Sequence, residues 1–263
     1  IRDRPDGVLI AGDVYDKPVP PTEAVELLDA FLTGLCARGV PVLLISGNHD
    51  SADRIAFGSA LLEPSRVYVS PVFSGAPQPI PLQDAHGTVD VYLLPFLKPA
   101  MVRHVWPDEP MESYNDALAC VLRHCTPDPG HRSLLVAHQF VAGAAACESE
   151  EPSVGGLDCV DAALFDAFDY VALGHLHSPQ KVGRDTLRYC GTPLKYSFSE
   201  AHQHKSITFV DLGEKGCVDI STAPLTPLHD HVRKRMGWSD EQVVARWLIL
   251  QAVASALLLL MTR

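Results

Sequence analysis

Four short clusters rich in Asp, Asn and His are spread along the chain: Gly12-Asp13-Val14-Tyr15-Asp16, Gly47-Asn48-His49-Asp50, Ala137-His138-Gln139 and Gly174-His175-Leu176-His177. Carboxylate, amide oxygen and imidazole together form a mixed oxygen and nitrogen donor set. Such a set suits Mn2+, iron or Zn2+ better than Ca2+ or Mg2+, which prefer shells of oxygen. Two such ions about 3.5–4 Å apart make a nucleophile from water and neutralise phosphoryl oxygens, two of the needs of phosphodiester hydrolysis. Asp13, exposed by the turn at Gly12, is the carboxylate expected to bridge both ions. Asn48, His138 and His175 complete one ion, His177 points at the other, and Mn2+ is the expected metal. His49 directly follows a ligand; its expected task is to stabilise the phosphoryl group or protonate the leaving oxygen. Asp16 and Asp50 belong to the same clusters as supporting residues. His202 and His204 form another His-x-His pair but have no comparable setting, and read as ordinary loop.

Each cluster stands where a short apolar run stops. The runs are Val8 to Ala11, Val40 to Ile45, Leu134 to Val136 and Tyr170 to Leu173, rich in β-branched residues and leucine as buried parallel strands are. Ligands would therefore emerge at the C-terminal ends of strands, the edge at which open α/β sheets bind ligands. Between the first two runs, Ala24, Val25, Leu27, Leu28, Phe31, Leu32 and Leu35 recur at helical spacing over Thr22 to Arg38, after a start at Pro20-Pro21-Thr22 and before a stop at Gly39. Strand, cluster, helix and strand make a βαβ unit with a right-handed crossover. A short helix is expected over Ala52 to Leu62, strands at Val67 to Val69 and Val89 to Leu94, and a Pro-rich loop from Gly75 to Pro81. A helix over Ser113 to His124 follows, capped by Ser113, and then a polar surface loop over Val141 to Asp158. Strand-like runs around a Gly-Thr-Pro turn fill Thr186 to Ile220.

The 263 residues suffice for one large α/β domain, with or without a small appendage. A formal net charge of −11 opposes nonspecific attraction to nucleic acid, so a DNA substrate needs local positive charge. Two divalent ions would supply about four charges where a phosphate lands. The seven cysteines show no CxxC spacing and read as reduced, mostly buried cytosolic thiols; no signal peptide is seen at the start. Residues 243–261 are almost wholly apolar. A membrane span needs about 20 such residues, so a docked helix, a stretch out of register with the natural protein and a membrane anchor stay open, the anchor least favoured.

The motifs resemble the calcineurin-like metallophosphoesterases, and in detail the SbcD-type nucleases among them. The detailed likeness lies in Gly12-Asp13-Val14-Tyr15-Asp16, in Asn48-His49-Asp50-Ser51, in Pro152-Ser153-Val154-Gly155-Gly156, and in the run from Arg188 through Gly191-Thr192-Pro193-Leu194-Lys195 to Phe198. It covers roughly residues 3–230. The resemblance implies an α/β (α+β) fold, a four-layer β-sandwich of two mixed sheets flanked by helices. It implies Mn2+-dependent 3′→5′ exonuclease and endonuclease action on DNA, processing ends and hairpins in repair and recombination. Its implied partners are DNA and an SbcC-type ATPase, with a homodimer of the nuclease chain inside a heterotetramer. Carried over by position, Asp13 bridges, Asn48, His138 and His175 hold one ion, His177 holds the other, and His49 is catalytic. Lys195 either contacts the DNA backbone or belongs to a structural turn.

Two departures from the pattern stand out. The family opens with a strand and an Asp-x-His motif that binds the first ion, and no such motif stands before Asp13 here. One ion is accordingly expected to bind normally and the other weakly. Residues 1–228 are expected to form the nuclease domain without that first strand, and 229–263 an atypical apolar tail in place of a capping domain. A phosphatase or small-molecule phosphodiesterase on the same scaffold, and a non-catalytic scaffold, are the competing functions.

Overall fold

Runs such as Val42 to Ile45 and Leu134 to Ala137 are apolar on both faces of a strand, and the structure covers both faces. The computed structural model describes residues 5–146, 158–196, 198–200 and 202–225. The Pro152–Gly156 motif, Cys147, Ser197 and residues 226–263, with the apolar tail and the boundary at 228, lie outside the described residues.

A three-stranded parallel sheet is ordered β1 (Val8–Ala11), β2 (Val42–Ile45), β3 (Val67–Val69). α1 (Thr22–Cys36) is the crossover between its first two strands. β3 follows two short helices, α2 (Ala52–Ile55) and α3 (Ser59–Leu62). The second sheet is mixed and has six strands: β4 (Pro79–Asp84), β5 (Gly87–Leu94), β6 (Arg132–His138), β9 (Tyr170–Gly174), β10 (Gln180–Val182) and β11 (Arg184–Tyr189). Their spatial order is β10-β11-β9-β6-β5-β4. The four central strands are parallel and the two edges antiparallel. α4 (Pro99–Val105) and α5 (Tyr114–Arg123) connect β5 to β6. Two strand pairs complete the described residues: β7 (Phe140–Val141) with β8 (Cys159–Val160), and the hairpin β12 (Ser206–Leu212) with β13 (Val218–Pro224).

Side-chain alternation sorts these strands into layers. Leu43 and Ile45 of β2 face Val89, Val91 and Leu93 of β5 and Leu134 and Val136 of β6 across an inter-sheet core. Val42 and Val67 face the other way, against Leu32 and Leu35 of α1. Tyr92, Leu94, Leu135, Val171 and Leu187 bury the far face of the large sheet against α4 and α5. Helix, sheet, sheet and helix are the four layers implied by the family resemblance. The smaller sheet is parallel throughout the described residues, and the β12–β13 hairpin packs against the inter-sheet core through Val210, Leu212, Val218 and Ile220. No helix among the described residues is long and apolar enough to cross a membrane.

Three local expectations need correction. Ala52 to Leu62 is not one helix: Gly58 sits at φ 74° and divides it into α2 and α3. The Pro-rich stretch expected as loop ends in a strand, because Pro79 and Pro81 open β4. Two residues apart, they turn their ring nitrogens to one side, and an edge strand can spare that side. Helix α4 was not foreseen; Pro99 opens it, where a missing N–H costs nothing. The cap at Ser113 is present: its Oγ accepts from Asp116 N at 3.1 Å and Asp116 Oδ2 accepts from Ser113 N at 3.0 Å, a full capping box.

Candidate metal centre

β1 and β2 of one sheet and β6 and β9 of the other end at the same edge of the sandwich, and each carries one of the four clusters. The sheets meet closely there because glycines allow it. A Cβ on Gly174 would collide with the carbonyl of Ala11, and one on Gly12 would lie 2.5 Å from His138 Nδ1. Gly12 also takes a φ of 84°. Asp13 (φ 48°) and His175 (φ 100°) are non-glycine residues in the left-handed region, which is strained for side-chain-bearing residues and recurs at functional sites.

The ring of His138 is fully buried, and its Nδ1 lies 2.7 Å from the Ala11 carbonyl. A carbonyl only accepts, so Nδ1 carries the proton and, in the neutral ring, Nε2 holds the lone pair. Nε2 faces Asp13 Oδ2 at 3.1 Å and Asn48 Oδ1 at 2.9 Å. Asn48 Oδ1 in turn lies 3.0 Å from His175 Nδ1. Electron-rich atoms from all four clusters thus face one another, an arrangement a cation resolves. Donor atoms of Asp13, His138 and His175 all lie within 4.8 Å of each other. Burial opposes ionisation of Asp13, but its contacts with the His138 ring and with the backbone N–H of His49 outweigh it and hold its carboxyl below the usual range. Burial, then the neighbouring His138 ring, push His175 down from its usual 6.5 to about 4, which keeps its ring neutral and able to donate a lone pair. The residues fit a divalent metal ion.

The remaining candidates take different places. His49 is exposed at the rim; its N–H donates to Asp13 Oδ1 at 3.0 Å, and its Nδ1 lies 3.2 Å from the Asp16 carbonyl. The Asp16 carboxylate points to solvent, 3.8 Å from Lys17 Nζ. Asp50 accepts from Gly47 N at 2.8 Å, Tyr15 N at 2.9 Å and Val14 N at 3.0 Å, so one carboxylate ties the loop after β1 to the loop after β2. His177 stands outside the Asp13, His138 and His175 group, with Nδ1 2.8 Å from Glu200 Oε1. Lys195 lies, partly exposed, in the loop after β11, which is tied to His177 by Thr192 N donating to the His177 carbonyl at 3.1 Å. The rings of Tyr196 and His177 are 5.9 Å apart. Sequence reasoning missed Glu200 and its partner Lys205. A lone acid and a lone lysine in a loop have no spacing to betray them, and the motif run stops at Phe198, two residues short. A cleft lined by Asn48, Phe96, Tyr114, Gln139, Phe140, Asp158 and His175 opens beside the donors.

Among curated proteins the chain is 33% identical over 233 residues to the SbcD component of the nuclease SbcCD of Staphylococcus epidermidis, covering 87% of this chain and 61% of that protein. It is 34% identical over 230 residues to the SbcD component of the nuclease SbcCD of Staphylococcus saprophyticus, covering 86% and 60%. The chain thus spans about three fifths of the length of these relatives. The model of the calcineurin-like phosphoesterases matches residues 1–179, a stretch that takes in all four clusters and both sheets' contributions to the donor set. With the donors gathered at one edge of a helix-flanked sandwich, the chain belongs to the calcineurin-like phosphoesterase family.

Proposed function

We propose that the chain is the catalytic part of a metal-dependent DNA nuclease of the SbcD type. The observation that carries the reading is the meeting of His138 Nε2, Asp13 Oδ2 and Asn48 Oδ1, three lone-pair atoms at the C-terminal ends of strands from two sheets. Asp13, Asn48, His138 and His175 would hold one Mn2+ ion, with Asp13 shared with a second held by His177, and the ions would activate water and neutralise phosphoryl charge. Asp50 keeps the Asp13 and Asn48 loops in register. His49, at the solvent rim and within reach of a substrate oxygen above Asp13, acts as general acid or phosphoryl stabiliser. Lys195 brings a positive charge to the His177 side, suited to a DNA backbone.

The two curated relatives are components of a complex, which supports an SbcC-type ATPase as partner. A homodimer of the nuclease chain within a heterotetramer is part of the same reading. Leu27 (72% exposed) and Phe31 on α1, with Phe57 (86%) between α2 and α3 and Leu61 on α3, offer apolar surface for it. Sedimentation of Leu27→Glu/Phe31→Glu against the parent chain tests the dimer: the parent should sediment as a dimer and the variant as a monomer. Residues 1–228 would be the nuclease domain and 229–263 a separate tail.

A small-molecule phosphodiesterase is the second reading, favoured by the aromatic cleft beside His175 and by the net charge of −11. One assay separates the two: Mn2+-dependent cleavage of end-labelled linear duplex DNA beside hydrolysis of bis(p-nitrophenyl) phosphate. Cleavage of DNA that is lost in His49→Ala, by about 10²–10⁴-fold with metal binding retained, supports the nuclease. Hydrolysis of the small diester with DNA left intact moves the assignment to the second reading. Loss of metal together with activity in His49→Ala would make His49 a ligand.

A further inference from the structure

Behind His177 lies a buried ion pair that no sequence motif announces. Glu200 is fully buried and Lys205 is 3% exposed. Glu200 divides its carboxylate: Oε1 lies 2.8 Å from His177 Nδ1, and Oε2 accepts from Lys205 Nζ at 2.7 Å. Lys205 Nζ also reaches the His177 carbonyl at 2.8 Å, Thr192 Oγ1 at 2.8 Å and Gln203 Oε1 at 2.7 Å. The ammonium thus grips the backbone of His177 while the carboxylate it neutralises grips the ring. A buried ion pair is weak evidence for stability, since apolar side chains of like volume often do as well. Its arrangement around one histidine calls for a reason of another kind. A carboxylate only accepts, so Nδ1 is the protonated nitrogen and Nε2 bears the lone pair in the neutral ring. Carboxylates that hold ligating histidines in this way fix tautomer and ring orientation.

We infer that Glu200, held in place by Lys205, is a positioning residue that sets the His177 ring with Nε2 as its metal-directed nitrogen. The inference rests on the reading of His177 as a ligand of the second ion. It makes Thr192, Glu200 and Lys205, none of them a proposed ligand, a working part of the metal centre.

Removing Glu200 alone would strand a buried charge on Lys205, so the test pairs Glu200→Gln with the double variant Glu200→Met/Lys205→Met, which exchanges the pair for apolar chains of similar length. The readouts are the ring 15N shifts of His177 without metal, and the broadening of His177 and His175 ring signals during Mn2+ titration. The parent chain should show a single tautomer with Nε2 unprotonated. Glu200→Gln leaves one acceptor oxygen for two donors: with that oxygen held by the Lys205 ammonium, the amide NH2 faces Nδ1 and should turn the ring to the tautomer protonated at Nε2. The double variant should show mixed tautomers and a response at His177 shifted to about 10–100-fold higher Mn2+, with the response at His175 unmoved. A double variant with the parent tautomer and the parent titration would overturn the inference and leave the pair a packing element. His177→Ala separates the remaining failure: if that variant binds Mn2+ as the parent does, His177 is not a ligand, and the inference falls with that assignment.

Discussion

Asp50 shows how one side chain can matter to a candidate metal centre through the backbone alone. Its carboxylate takes three backbone N–H groups from two loops, and hydrogen bonds to a charged acceptor contribute about 1.5–3 kcal/mol each, less where partly open to water. Asp50→Ala should therefore destabilise by about 2–4 kcal/mol in urea denaturation and weaken Mn2+ binding, whereas Asp50→Asn, which keeps one acceptor oxygen, should lose less on both counts. Two other residues contribute to the acid response of the metal-free chain. His175 has its folded value lowered to about 4 from 6.5, so between those values the unfolded chain binds more protons and stability falls as pH falls. Glu200 is buried, which alone would raise its value, but hydrogen bonds from His177 and Lys205 hold it at about 2; its contribution is complete above 4.5 and lost toward pH 2. Denaturation midpoints measured without metal should decline from pH 6.5 to 4, and His175→Gln should flatten that interval and leave the steeper loss at lower pH. An unchanged slope in His175→Gln would show that the half-buried ring does not set the decline.

At the scale of elements, the β12–β13 hairpin depends on polar clamps that patterning does not show. Arg132, at the start of β6 and 3% exposed, donates to the Asp84 carboxylate and to the carbonyls of Gly87 and Leu212, the two carbonyls each at 2.8 Å. Lys215 in the hairpin turn donates to the His131 carbonyl at 2.6 Å and to Asp169 Oδ2 at 2.8 Å. Arg132→Ala should cost about 2–4 kcal/mol and raise hydrogen exchange in β12 and β13 first, because it leaves several acceptors without a donor. Equal exchange throughout both sheets would place the damage elsewhere. The strands that carry the donor clusters were legible because a parallel strand covered on both faces has to be a short apolar run, and each cluster had to follow one. The chain around them was harder to read. α1 shows apolar residues nearly all round, so its spacing gave the helix but not its inner face, which Ala24, Leu28, Leu32 and Leu35 form while Val25, Leu27 and Phe31 stay exposed. Pro79 and Pro81 read as loop because only a strand's position at a sheet edge makes them tolerable, and position is a tertiary fact. Asp50 was legible as a member of the site, but its work on Val14 and Tyr15 depends on a contact across more than thirty residues of chain.

For the whole molecule, charge sets the terms on which a polyanion can approach. With a net charge of −11, the DNA affinity that the proposed function requires should depend on bound divalent ions, and few phosphates should be neutralised by side chains. Fluorescence anisotropy of a labelled duplex should show binding with Mn2+ and its loss on chelation, with a shallow dependence on monovalent salt. Binding that persists with EDTA and falls steeply with salt would point instead to neutralisation of the phosphates by basic side chains. The donor set has a further consequence. Asp13 and Asn48 ride on one sheet, His138 and His175 on the other, and the backbone joins the two at this rim through the close contact of Ala11 with His138 and Gly174. On the proposed ligand assignment, the spacing of the two sheets would also be the width of the coordination shell. A bound ion would then act as a rivet through both sheets, and any load that slid one past the other would open the shell like a calliper and retune the chemistry without touching a ligand.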